Sequence, residues 1–202
     1  SEGSVPEITI HDPAVLDGVK GMGIYAAGYG DWTIEGGVIK GLVGIEIRAG
    51  SMTIEGGTIS GSGTFTELSG NPSGTTSSAG AALVIAQHTT ALPIQVDIDG
   101  GTFEAEYAVY QGNPQNNQDA KPVSVEISGG TFNTTATDGR CPVVNSENTK
   151  RINIIGGTFE NPTQLSMELI DPAYDMNDDG TIVADLEASV AKVGDRYYTD
   201  IR

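Results

Sequence analysis

Thr53-Ile54-Glu55-Gly56-Gly57-Thr58-Ile59 is one of five copies of a single phrase in this chain. The others are Thr-Ile-Glu-Gly-Gly-Val-Ile from Thr33, Asp-Ile-Asp-Gly-Gly-Thr-Phe from Asp97, Glu-Ile-Ser-Gly-Gly-Thr-Phe from Glu126 and Asn-Ile-Ile-Gly-Gly-Thr-Phe from Asn153. A short phrase that recurs with a strand before it and a glycine corner inside it predicts a solenoid. Each copy is one turn of a coil that buries its apolar side only by stacking on its neighbours.

Aligning the copies on their glycine pairs exposes the columns. Two residues before the pair stand Ile34, Ile54, Ile98, Ile127 and Ile154, and four before stand Trp32, Met52, Val96, Val125 and Ile152. Between them lie Thr33, Thr53, Asp97, Glu126 and Asn153, then Glu35, Glu55, Asp99, Ser128 and Ile155. This period of two describes a strand with one buried and one wet face. Trp32 faces inward on this reading and is expected to pack against Ile8 or Met52. A degenerate copy leads the chain, with Ile8 and Ile10 apolar and Asp12-Pro13 in place of the glycines. Two residues past each pair comes another apolar position, read as Val15, Ile39, Ile59, Phe103, Phe132 and Phe159. The glycines therefore bend the chain without leaving the core, a task suited to a residue without Cβ.

A second apolar run follows in every copy, beginning at Gly23, Gly44, Ala82, Ala108, Pro142 and Met167. Two strand segments per coil, with loops absorbing the variable spacing, predict an all-β parallel β-helix of about six coils. The coils span roughly 5–30, 31–50, 51–92, 93–121, 122–150 and 151–170, with a small β extension over 171–202. Gly, Thr and Pro interrupt every stretch long enough for an amphipathic helix. An immunoglobulin-like sandwich would not repeat one glycine corner.

The formal charge of −17 argues against nucleic acid, because phosphate binding needs Lys and Arg. It equally disfavours an anionic membrane surface, and no run approaches the length of a membrane-inserted segment. A lone cysteine, Cys141, excludes an internal disulfide and reads as a small buried residue. The opening Ser1-Glu2-Gly3-Ser4 reads as an excised or processed terminus.

Gly-Gly-Thr-Phe coils, the Asp179-Gly180-Thr181 hairpin turn and the segment Val193-Gly194-Asp195-Arg196-Tyr197-Tyr198-Thr199 occur together here. The combination resembles right-handed parallel β-helix modules in large adhesin-like surface proteins of Gram-positive gut bacteria. The resemblance covers essentially the whole chain. It implies an extracellular, cell-surface location and a monomeric module within a longer chain, with residues 171–202 leading toward a following module. It also implies a non-catalytic binding role toward a host or dietary glycan or glycoprotein, and it carries over no catalytic residues. A polysaccharide-active enzyme or its remnant, and a structural spacer, are the alternatives.

Stacking places Glu35, Glu55 and Asp99 in one exposed file, with Asp97 and Glu126 in the adjacent column. Like charges about 5 Å apart call for screening, a raised pKa or a cation such as Ca²⁺. Pectate-lyase-type helices use such a file with a basic residue nearby, whereas neither exposed column here contains Lys or Arg. A solvated acidic wall, a Ca²⁺-binding wall and a catalytic cleft are all readings of this file. Asp175, Asn177 and Asp179, followed by Gly180, match the first half of a calcium loop, but its twelfth position is Leu186. A β-hairpin turn is the alternative there. No cofactor is required by either reading, and Ca²⁺ is the one candidate. His11 and His88 offer no catalytic or metal spacing.

For a glycan, Tyr25, Tyr29 and Tyr110 are the aromatic candidates, since Tyr25 and Tyr110 fall on outward positions. Asn71 lies in a Gly/Ser/Thr-rich insertion over 60–80, and Asn113, Asn116 and Asn117 lie in an Asn/Gln-rich loop over 112–120. Both loops are expected to leave successive coils at one corner, after the glycine pair, and to emerge side by side. As surface loops they are expected to add little stability.

Overall fold

The computed structural model describes residues 5–68, 70–71, 74–75, 79–87, 92–114 and 122–199. Among them no α-helix occurs, and no helix is long and apolar enough to cross a membrane. The chain winds into a parallel β-helix with three sheets. Strands preceding the turn form a six-stranded sheet: Glu7–Ile10, Asp31–Ile34, Gly50–Ile54, Ile94–Ile98, Val123–Ile127 and Ile152–Ile154. Strands following it form a second six-stranded sheet: Val15–Asp17, Val38–Gly41, Thr58–Gly61, Thr102–Ala105, Thr131–Thr134 and Thr158–Phe159. The third, five-stranded sheet contains Met22–Ala26, Val43–Ile47, Ala81–Ile85, Tyr107–Gln111 and Val143–Asn145.

Register follows the sequence columns. Ile34, Ile54, Ile98, Ile127 and Ile154 stack in one file, and Trp32 sits between Ile8 and Met52, half-buried against the core. In the second sheet Phe103, Phe132 and Phe159 form a ladder with centroids 5.0 and 4.7 Å apart and nearly parallel rings. Ring stacking of this kind adds to the area each Phe buries.

The two glycines of each corner serve different needs. The first lies so close to the preceding coil that a Cβ at Gly129 would stand 2.2 Å from the Asp99 carbonyl oxygen. The second is left-handed, with φ of 99° at Gly130, a region costly for residues bearing Cβ.

Three local readings are corrected. Each of the first five coils has three strands rather than two, because the residues after the glycine pair pair with their neighbours as well. In the first coil Leu16, not Val15, aligns with Ile39, and Val15 is 64% exposed. The Asp12-Pro13-Ala14 turn replaces a two-glycine turn and is one residue longer, which shifts the alternation. In the last coil the run from Met167 is a 3-10 turn over Met167–Leu169 instead of a strand. Its residues Leu169 and Ile170, with Leu165 and Ile182, cover the end of the apolar core.

Residues beyond 171 fold back onto this end. A hairpin of Tyr174–Met176 and Ile182–Ala184 bonds to the last coil through Ile182 N–H to the Gly157 carbonyl (2.9 Å) and Phe159 N–H to the Gly180 carbonyl (3.0 Å). A second hairpin, Ala191–Val193 with Arg196–Tyr198, brings the Arg196 guanidinium 2.9 Å from the Glu126 carboxylate. A cation thus reaches the acidic column from outside it, which column spacing alone had no means of showing.

Candidate functional site

On the third sheet, alternation points Tyr25, Glu46, Val84, Tyr110 and Val144 outward in one file. Tyr25 is 48% exposed, as expected, but Tyr110 is only 5% exposed. The correction has a clear cause. The insertion folds across the outer face of this sheet and sets Phe65 and Leu68 over it, with the Phe65 ring 4.9 Å from that of Tyr110. Val43, Ala81, Val84, Ala86 and Tyr110 then form a second apolar cluster outside the coil.

Glu46 and Arg48 form an ion pair, both fully buried. Burying a charge pair costs desolvation that close contact offsets only in part. Their sequence positions, Glu46 outward in its strand and Arg48 just past the strand's end, gave no signal of burial.

The two loops do not share a corner. The insertion leaves between the second and third sheets, whereas the loop starting at Gly112 follows the third-sheet strand and leads to the next coil. They start from opposite edges of the third sheet and converge because the insertion crosses its face. Where they meet is a pocket of about 490 Å³ lined by Glu67, Leu68, Tyr110, Gly112, Asn113, Pro114, Ser146, Glu147, Asn148 and Thr149.

One wall of this pocket is a turn organised by Asn145. Its Nδ2 donates to the carbonyls of Glu147 (2.8 Å) and Thr149 (3.0 Å), and its Oδ1 accepts from Arg151 N–H (2.7 Å). Glu147 Oε2 accepts from Gln111 Nε2 and from Arg151 Nε, the latter at 3.3 Å. Among the described residues Asn113 Oδ1 and Gln111 Oε1 are buried acceptors without a hydrogen bond. Such an atom costs about 1–3 kcal/mol relative to a satisfied one. Burial pushes the Tyr110 hydroxyl above the usual phenol range, partly offset by its hydrogen bond with Ser146.

The other predicted residues lie elsewhere. Tyr29, 55% exposed, borders a shallower groove of about 310 Å³ with Asp31, Ser51, Pro93, Gln95 and Pro122, where the turns from the third sheet enter the first. Asn71 sits in a short ribbon, Gly70–Asn71 with Gly74–Thr75, while Asn116 and Asn117 lie outside the described residues. Glu35, Glu55 and Asp99 are exposed on successive coils, and Asp99 accepts from Ser128 Oγ at 2.5 Å. Asp175, Asn177 and Asp179 lie on a hairpin and its turn, where the Asp179 carboxylate accepts from Thr181 N–H at 3.0 Å. Among the described residues no group of three or more His, Cys, Asp or Glu side chains is placed to hold a metal ion.

Of the sequence candidates, Tyr110 and Asn113 are brought together. Glu67, Ser146 and Glu147, which join them, were not singled out, because nothing in the repeat marks loop residues from three different coils as neighbours. Leu68 is the anchor of the cover. Leu68→Ala is expected to cost about 2–3 kcal/mol, measured by urea unfolding, and an unchanged midpoint would mean that the insertion does not hold the pocket wall.

The fold is that of a parallel β-helix with a lateral pocket built by its loops. Comparison with family models, curated proteins and solved structures returned no match.

Proposed function

We propose that this chain is a non-catalytic ligand-binding module of an extracellular bacterial surface protein, and that it holds a glycan, free or on a glycoprotein, in the pocket beside Tyr110. The observation that supports this most is the convergence of loops from three coils on one concave, hydrogen-bonding surface. Hydroxyl, amide and carboxylate groups at Asn113, Ser146, Glu147 and Glu67 match the bonding needs of sugar hydroxyls. The stiff solenoid wall holds them in place before a ligand arrives, which limits the ordering cost of binding. The resemblance of the repeat to adhesin-like modules supports the surface location and a place within a longer chain. No cofactor is needed on this reading.

An array of neutral and amino-sugar oligosaccharides tests it. Asn113→Ala and Ser146→Ala are each expected to weaken the selected ligand about tenfold, near 1.4 kcal/mol, while Tyr29→Ala leaves affinity unchanged. Loss on Tyr29→Ala alone would move the site to the shallower groove. Absence of any bound glycan would favour the spacer.

A further inference from the structure

We propose that the ligand's recognition unit is a sugar bearing a free primary amine, bound as its ammonium ion in the pocket between Glu67 and Glu147. The proposal deepens the glycan reading above and rests on it. The pocket is rich in acceptors and poor in cations. Among the described residues neither Lys, Arg nor His lines it, and Glu67 has no ion-pair partner. Arg151 and Gln111 both reach Glu147 at Oε2, and among the described residues no donor is placed at its Oε1. Asn113 Oδ1, buried in the lining, and Oε1 of Gln111, whose Nε2 bonds Glu147, are acceptors without a donor among the described residues. An ammonium group offers three donors and a positive charge at one point. A neutral hydroxyl offers a single donor, and a carboxylated or sulfated sugar would meet two carboxylates of like sign. N-acetylation removes the charge and two of the donors, so the site discriminates against the acetylated form.

The groups facing the amine are the carboxylates of Glu67 and Glu147, the Tyr110 hydroxyl, and Arg151 behind Glu147. An amino group flanked by electron-withdrawing oxygens, as on a sugar, loses its proton within pH 6 to 9. Tyr110 titrates above the usual phenol range. The amine is therefore the group whose charge changes in this window.

The test is calorimetric titration of the full chain with three disaccharides of glucosamine, N-acetylglucosamine and glucose at pH 6 and pH 9. At pH 6 the amine form is expected to bind at least tenfold tighter than either neutral sugar. That advantage should vanish at pH 9 and in Glu67→Gln/Glu147→Gln, with the far-ultraviolet spectrum unchanged. Glu35→Gln/Glu55→Gln, on the acidic file, should retain it. Equal affinity for all three sugars overturns amine selection and leaves the glycan reading standing. Binding of none overturns both. Loss of amine binding only in the Glu35/Glu55 variant assigns it to general attraction by the acidic surface and overturns the proposal. So does preference for a lysine peptide over the amino sugar.

Discussion

Ile98→Asp is expected to lose about 4–5 kcal/mol of stability, enough to leave much of the population unfolded near 37 °C. Ile98 is fully buried and stacked directly between Ile54 and Ile127. A carboxylate there is shut off from water, between two isoleucines in an apolar core. Because the coils are stacked along one axis, the defect sits between two halves that depend on each other's faces. Thr33→Asp is the control, one residue from Ile34 but on the outer face between Thr9 and Thr53. It should change stability by less than about 1 kcal/mol. Urea unfolding of the pair checks this, and equal losses would contradict the alternation.

Gly129→Ala is expected to cost at least about 4 kcal/mol, far beyond the usual price of a helix or loop alanine. The new Cβ would stand 2.2 Å from the Asp99 carbonyl oxygen, about 1 Å inside ordinary contact. The clash has no cheap relief. Ser128 N–H and Gly129 N–H both bond to the Ile98 carbonyl, at 2.8 and 3.2 Å, so moving either backbone strains that ladder. Gly139 supplies the comparison: it has φ of 74° but nothing within 4 Å of its would-be Cβ. Gly139→Ala should cost only the backbone term, about 1–2 kcal/mol. Similar melting shifts for the two variants would show that the corner glycine serves φ alone and not close coil approach.

The coil, its wall and its corners were legible from residue order alone. Period two assigns Ile34, Ile54 and Ile98 to the inside, and Gly-Gly marks the corner, because both effects act within a few residues and repeat with every copy. The slip of Val15 for Leu16 came where the first coil lacks the glycine pair and its turn is a residue longer. Burial of Tyr110 and of Leu68 was decided otherwise. Alternation states which side of a strand a residue takes; whether that side meets water depends on where a non-repeating insertion lies. The path of such a segment is set by apolar contacts between residues far apart in the chain, such as Phe65 on Tyr107 and Tyr110. The same reasoning applies to Arg196 reaching Glu126, and to Glu67, Asn113 and Glu147 lining one pocket. Their proximity results from tertiary packing, whose register is absent from the local pattern, while the columns that carry it were written in the repeat.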